Sequence, residues 1–141
     1  MNESRDLMLS EAVIGTLHMV LSRLELALEP LGLSLPKFKV LGRLVAAGEA
    51  LPLGTLAEQS ACVRSNITQL IDRLEADKLV ARVDDPRDRR SIRAELTAEG
   101  RKRHAEAARV LKAAERELFA GLGQEQRDSL LHLLASLRGQ C

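Results

Sequence analysis

The strongest constraint on the fold is a change of hydrophobic period partway along the chain. Up to about Asp77 the apolar residues recur at helical spacing, and beyond Ala98 that spacing returns. In between, Leu79-Val80-Ala81-Arg82-Val83 and Ile92-Arg93-Ala94-Glu95-Leu96 alternate with period two and predict short strands. The polar, proline-containing segment Asp84-Asp85-Pro86-Arg87-Asp88-Arg89-Arg90 predicts the turn of a hairpin.

The helices around it are legible from stripes and breakers. Leu17, Leu21, Leu24 and Leu28, widened by Val13, Ile14 and Val20, predict a helix over about Leu7 to Glu29, broken at Pro30 and Gly32. Ser34 is a candidate cap for a second helix that tolerates Pro36 in its first turn, buries Phe38, Val40, Leu41, Leu44 and Val45, and stops near Gly48. Residues 49–52 read as a short extended connection. Leu53 to Gln59 reads as a short helix with Leu56 and Ala57 inward, and Arg64 to Asp77 as a helix with Ile67, Leu70, Ile71 and Leu74 on its apolar face. Thr97 is a candidate cap, with Glu99 near the positive end of the dipole, for a helix over Ala98 to Phe119. Its apolar positions are mostly alanine (Ala105, Ala107, Ala108, Ala113, Ala114), which permits close approach of another helix. Gly121 and Gly123 end it, and a final helix carries Leu130, Leu131, Leu133, Leu134 and Leu137.

The fold class expected is therefore mainly α with a small β-hairpin wing. It is a winged helix-turn-helix over residues 34–97, flanked by an N-terminal dimerisation helix (1–33) and C-terminal dimerisation helices (98–141). The apolar stripes of the flanking helices are too rich for a lone monomer of this size. The 141-residue length suits one compact domain with extra pairing helices, and an apolar content of 45% argues against disorder. Two cysteines make no disulfide framework, no consecutive apolar run approaches the roughly 18 residues of a membrane span, and no signal-peptide pattern is visible. A cytoplasmic location without membrane contact is expected.

In a helix-turn-helix the second helix enters the major groove with its outward side chains. Here those are Arg64, Ser65, Asn66, Thr68, Gln69 and Arg73. Arginine donates bidentately to guanine, asparagine and glutamine pair with adenine, and serine or threonine serve bases or phosphates. The hairpin tip concentrates Arg87, Arg89, Arg90 and Arg93 against Asp88, a composition suited to phosphate or the minor groove.

A net charge of +1 at first argues against a nucleic-acid partner, but its distribution does not. Residues 1–35 carry 2 positive and 5 negative charges, whereas residues 61–104 carry 11 positive and 8 negative. Phe38 and Phe119 are the only aromatic residues, which excludes base-stacking platforms and leaves groove reading of double-stranded DNA. No phosphate-binding glycine loop, nucleophile elbow, carboxylate pair or metal motif is present, so neither an enzyme nor a cofactor is expected. His18, His104 and His132 lie far apart, and none has a second ligand at metal spacing.

The pieces Leu56-Ala57-Glu58, Asn66-Ile67-Thr68-Gln69-Leu70-Ile71-Asp72-Arg73-Leu74-Glu75, Asp85-Pro86-Arg87-Asp88-Arg89-Arg90 and Leu96-Thr97-Ala98-Glu99-Gly100 together resemble the MarR (multiple antibiotic resistance regulator) family. The flanking helices also fit, so the resemblance covers nearly the whole chain. It implies a homodimeric bacterial transcription regulator on a pseudo-palindromic operator, usually a repressor released by a small ligand or by oxidation. It implies that the first and last two helices form the dimer interface. Arg89 and Arg90 become wing-tip residues, with Arg90 foremost for the minor groove, while Asp72 and Asp88 orient neighbouring arginines. Departures occur at the turn. Ala61 and Ser60 replace the usual Gly and Leu, and Val63 stands where relatives place a capping Ser or Thr, so a later start with Ser65 as cap is expected.

For sensing, the resemblance points to His18, near where relatives hold phenolic or carboxylate ligands, joined by Arg23 and Phe38 around a small aromatic or carboxylate effector. Peroxide-sensing relatives use an N-terminal cysteine beside tyrosines, which this chain lacks. Cys62 stands at a helix N-terminus, which favours a thiolate, although a small buried side chain is the plainer reading. Cys141 is terminal. A thiol switch at Cys62 and a winged helix that binds protein without DNA are the alternatives. The arginine tip and the polar helix face argue against the second.

Overall fold

The structure, a computed structural model, describes residues 2–60 and 64–139, with side chains over 7–60 and 66–139. It contains helix α1 (Asn2–Leu28), a 3-10 turn (Glu29–Leu31), α2 (Leu35–Ala47), β1 (Leu51–Pro52), α3 (Leu53–Gln59), α4 (Arg64–Ala76), β2 (Val80–Asp85), β3 (Asp88–Leu96), α5 (Ala98–Leu118) and α6 (Gln124–Arg138). The chain forms two compact units, residues 25–110 and residues 1–24 with 111–141.

The unit of residues 25–110 holds the winged helix. Ser34 caps α2, its Oγ accepting from the Lys37 amide at 3.3 Å, and Gly48 closes that helix at φ 67 with its N–H on the Leu44 carbonyl. The core gathers Val40, Leu41 and Leu44 from α2, Leu56 and Ala57 from α3, Ile67, Ile71 and Leu74 from α4, Leu79 from the link into β2, and Val80 and Ala94 from the strands. Leu70 departs from the predicted apolar face. It is only half-buried, because Ile67, Ile71 and Leu74 at i, i+4 and i+7 already define the inward stripe.

Residues 51–52 do more than connect. They pair antiparallel with β3 (Leu51↔Ala94, Pro52↔Arg93), giving a three-stranded sheet in the order β1-β3-β2. Pro52 is tolerated because β1 is an edge strand. The hairpin is also longer than alternation predicted, since Asp84, Asp85 and residues 88–91 are strand rather than turn. A third correction concerns the recognition helix, which begins at Arg64, so Ser65 lies inside the first turn instead of capping it. First-turn N–H groups need no intrahelical partner, so a weak helix former is accommodated there.

The passage from α4 into β2 is a Schellman closure. Leu79 N–H reaches the Leu74 carbonyl at 2.9 Å and Lys78 N–H the Glu75 carbonyl at 2.9 Å, with Lys78 at φ 62 and both leucines fully buried. The Leu79 carbonyl then accepts from Thr97 N–H at 3.1 Å. The single Thr97 hydroxyl hydrogen is shared between the carbonyls of Lys78 (2.7 Å) and Leu79 (3.0 Å), while the same Oγ1 accepts from Gly100 N–H at 3.0 Å to cap α5. A Cβ on Gly100 would collide with the Leu79 carbonyl and crowd Leu96. Further along α5, the His104 ring stacks on Phe38 of α2 with centroids 4.8 Å apart. Burial pushes the His104 pKa below the ordinary imidazole value, so the stacked ring is neutral at pH 7.

In the other unit, Arg127 closes the end of α5 by donating to the carbonyls of Phe119 (2.9 Å) and Leu122 (3.1 Å). The predicted stripe of α1 is largely uncovered. Of the 14 exposed large apolar residues among those described, nine lie between Leu7 and Leu26 and four on α6. Contrary to the reading of consecutive runs, the helical stretch Leu7–Leu31 is long and apolar enough by length and composition to cross a membrane. Small and weakly polar residues such as Gly15, Thr16 and His18 interrupt the run without lowering the average enough.

The junction at Leu79 makes a prediction of opposite signs. Gly100→Ala forces a methyl group against backbone and lowers the unfolding free energy by about 1–3 kcal/mol. Lys78→Gly relieves the left-handed conformation and raises it by roughly 1 kcal/mol. Urea unfolding followed by circular dichroism, the suitable probe for a chain without Trp or Tyr, checks both.

Candidate nucleic-acid interface

The outward face of α4 carries two rows. Asn66, Gln69 and Arg73, at i, i+3 and i+7, form one exposed row. Thr68, Asp72 and Glu75, at i, i+4 and i+7, form the second, and this row turns toward the wing. There Arg82 of β2 donates to the Asp72 carboxylate, to Glu75 Oε1 at 3.0 Å and to the Thr68 carbonyl at 3.5 Å, while its amide donates to Glu75 Oε2 at 2.9 Å. The side chains of Arg64 and Ser65 lie outside the described residues, as do Ala61, Cys62 and Val63.

Two aspartates three residues apart shape the wing tip. Asp85 Oδ1 accepts from the Arg87 amide at 2.9 Å, and Asp88 Oδ1 from the Arg90 amide at 3.0 Å. Asp85 Oδ2 also meets Arg93 Nε at 3.2 Å. These bonds narrow the connection to Pro86-Arg87. The register steps from Asp84↔Ile92 to Asp85↔Asp88, so Arg89, Arg90 and Ser91 bulge with no partner on β2. Arg87, Arg89 and Arg90 are consequently exposed, and Arg93 is held back along the strand. Asp85 is the one buried charged residue of the described chain, and the Arg87 amide, with help from Arg93, holds its carboxyl below the usual range despite desolvation.

Two further cations brace the helices. Arg43 Nη2 of α2 donates to the Gln59 carbonyl at the end of α3 (3.0 Å), and Lys37 Nζ meets Asp77 Oδ2 at 3.4 Å. Of the residues expected around an effector, Phe38 has one ring face against His104, whereas His18 is exposed and Arg23 Nη2 lies 3.6 Å from Glu117 Oε2. Phe38 belongs to one compact unit, His18 and Arg23 to the other. Among the described residues no group of three His, Cys, Asp or Glu is placed to hold a metal.

Sequence reasoning missed Arg82, Asp85 and Arg43. A signal existed for the first: two carboxylates on a helix otherwise suited to polyanions require a cation nearby. Asp88 was expected to orient an arginine and does so through the backbone of Arg90. Asp72 does so through the side chain of Arg82, a residue outside the expected set.

The ordering of the tip carries a pH sign. A carboxylate with a lowered folded pKa contributes above its unfolded value and loses that contribution as pH falls through the folded one. The tip should therefore be ordered near neutrality and loosen below about pH 4. Amide exchange at Arg87, whose N–H the Asp85 carboxylate holds, measures this. Asp85→Ala should remove the protection of Arg87 at pH 7, and Asp85→Asn, which keeps an acceptor oxygen but loses the charge, should weaken it partly.

The MarR family profile matches residues 33–92. An HTH-type transcriptional repressor of Mycobacterium tuberculosis is 32% identical over 111 residues, 79% of each chain. A MarR family transcriptional regulator from Rhodococcus sp. RHA1 superposes with a TM-score of 0.79 at 29% identity, over 95% of this chain and 93% of that one. Another from Streptomyces coelicolor, solved in complex with DNA, gives 0.87 at 25% identity, over 96% and 86%. Winged hairpin, helix-turn-helix and flanking helices thus recur together in relatives of matching length, and the chain belongs to the MarR family of transcriptional regulators.

Proposed function

We propose that the chain is a homodimeric repressor that reads a pseudo-palindromic DNA operator and responds to a small effector. The observation that carries the reading is the pairing of an exposed Asn66–Gln69–Arg73 row on α4 with a bulged tip whose Arg87, Arg89 and Arg90 are exposed. The row carries the donors and acceptors suited to base edges, and the reading keeps Arg64 and Ser65 as further DNA contacts of the same helix. The tip supplies cations for phosphate and, at Arg90, for the minor groove. Repression is carried over from the mycobacterial relative.

The dimer reading rests on the apolar face of α1 and on Leu131, Leu133, Leu134 and Leu137 of α6, which one chain leaves exposed. A second copy covers such a face without a membrane, and a DNA regulator acts in the cytoplasm. The effector reading assigns a small aromatic or carboxylate ligand to His18 and Arg23. Arg23 suits a carboxylate because its contact with the exposed Glu117 is long and gives way readily.

Fluorescence anisotropy with the inverted repeat upstream of the chain's own gene tests the proposal. Binding should weaken steeply as salt rises. Arg90→Ala should weaken all sequences and flatten the salt slope by about one unit. Gln69→Ala should cost about 1–3 kcal/mol on the repeat and little on unrelated DNA. Binding that ignores salt and sequence would refute the reading. Sedimentation of Leu17→Glu should show monomer where the parent is dimer, and a thermal-shift screen with aromatic acids should stabilise the parent but not Arg23→Ala.

A further inference from the structure

Arg82 occupies a place that neither a core residue nor a DNA contact explains. Its side chain is 24% exposed, against 59% for Asp72 and 43% for Glu75, so it is sunk between strand and helix while its partners stand at the surface. It reaches acceptors on successive turns of α4: the Thr68 carbonyl, Asp72 and Glu75. Glu75 also takes the Arg82 amide, so one carboxylate grips both backbone and side chain of a single strand residue. The planar guanidinium fork makes this a geometric clamp rather than a loose charge pair.

We propose that Arg82 is a positioning residue that sets the wing against α4, so that the recognition row and the arginine tip meet one duplex in register. The proposal rests on the DNA-binding reading above. The root of the hairpin is already tied to Thr97 through the Leu79 carbonyl. What that tie leaves open is the swing of the hairpin toward or away from α4. Arg87 lies five positions beyond Arg82, through residues 83–85 of β2 and into the turn, at most roughly 16 Å at the usual rise. A tilt of roughly 10° about Arg82 would move the tip by roughly 3 Å, more than a hydrogen bond tolerates. Exposed ion pairs contribute little to stability, so the loss should appear in DNA binding before it appears in folding.

Simple charge neutralisation competes with this, because bare Asp72 and Glu75 would repel phosphate. The two accounts differ in sign for the double variant Asp72→Ala/Glu75→Ala. Positioning requires weaker binding, by about tenfold, because the clamp is gone; neutralisation requires tighter binding, because two negative charges are gone. The second arm is a cycle with the tip, measured by anisotropy on the same repeat with thermal unfolding alongside. Arg82→Gln should bind about tenfold more weakly. Adding Arg90→Ala to it should cost less than about twofold, although Arg90→Ala alone weakens the parent well beyond that, because a misaimed tip has little left to lose. Arg82→Lys should not restore binding, since a single ammonium cannot span three acceptors. Tighter binding by the double alanine variant, losses that multiply in the cycle, or full rescue by lysine would each overturn the proposal. A parent protein that binds no DNA would instead overturn the function on which it rests.

Discussion

The carbonyl of Leu79 is the point on which the wing depends. It lies at the end of a helix closure that requires a left-handed residue, at the root of the hairpin, and beneath the first turn of α5. Thr97 satisfies it with its amide, shares its hydroxyl hydrogen between this carbonyl and that of Lys78, and uses the hydroxyl oxygen as the α5 cap. A buried backbone carbonyl left without donors is costly, so the three elements are held to one arrangement by a single polar group. Gly100 makes the approach sterically feasible. This accounts for the Leu-Thr-x-x-Gly pattern: leucine packs, threonine bonds twice, and glycine leaves room.

From that root the charge distribution acquires a structural meaning. The acids of the wing region do not simply dilute its basicity. Asp85 and Asp88 are engaged with the amides of Arg87 and Arg90, and Asp85 also with Arg93. Asp72 and Glu75 are engaged with Arg82. The carboxylates thus draw back Arg82 and Arg93, and by fixing the backbone they leave the Arg87, Arg89 and Arg90 side chains at the surface. A near-neutral total is compatible with a locally cationic tip because the negative charges hold the scaffold and the positive ones are displayed.

Period and punctuation made most helix ends legible to within a residue or two, since Ser34, Gly48 and Thr97 act locally on their own backbone, but α1 starts at Asn2, five residues before the expected Leu7, where polar residues carry no stripe. The hairpin's existence was equally plain, but its length was not. Residues 84–90 are polar whether they form a loop or a strand, and only the aspartate–amide bonds at 85 and 88 decide between them. The pairing of Leu51 and Pro52 with β3 depends on contacts some forty residues distant, which no local pattern encodes. For the site, the outward face of α4 was readable from helical spacing, yet its division into two rows was not. Thr68, Asp72 and Glu75 differ from Asn66, Gln69 and Arg73 only by which flank the wing strand approaches.

The same distinction between local pattern and tertiary placement governs α1. Over Leu7–Leu31 the chain is as apolar as a membrane span, yet it carries Glu11, His18, Arg23 and Glu25 within the same stretch. Ionisable side chains spaced along a helix are costly in hydrocarbon but harmless in a protein interface, where each can turn to a rim or to a partner. Arg23 already does so with Glu117. The exposed leucines of α6 offer a second apolar surface within the same compact unit, so the area requiring cover extends over two elements rather than around one rod. A bilayer would enclose α1 on all sides and leave α6 unexplained, whereas the proposed second copy covers both.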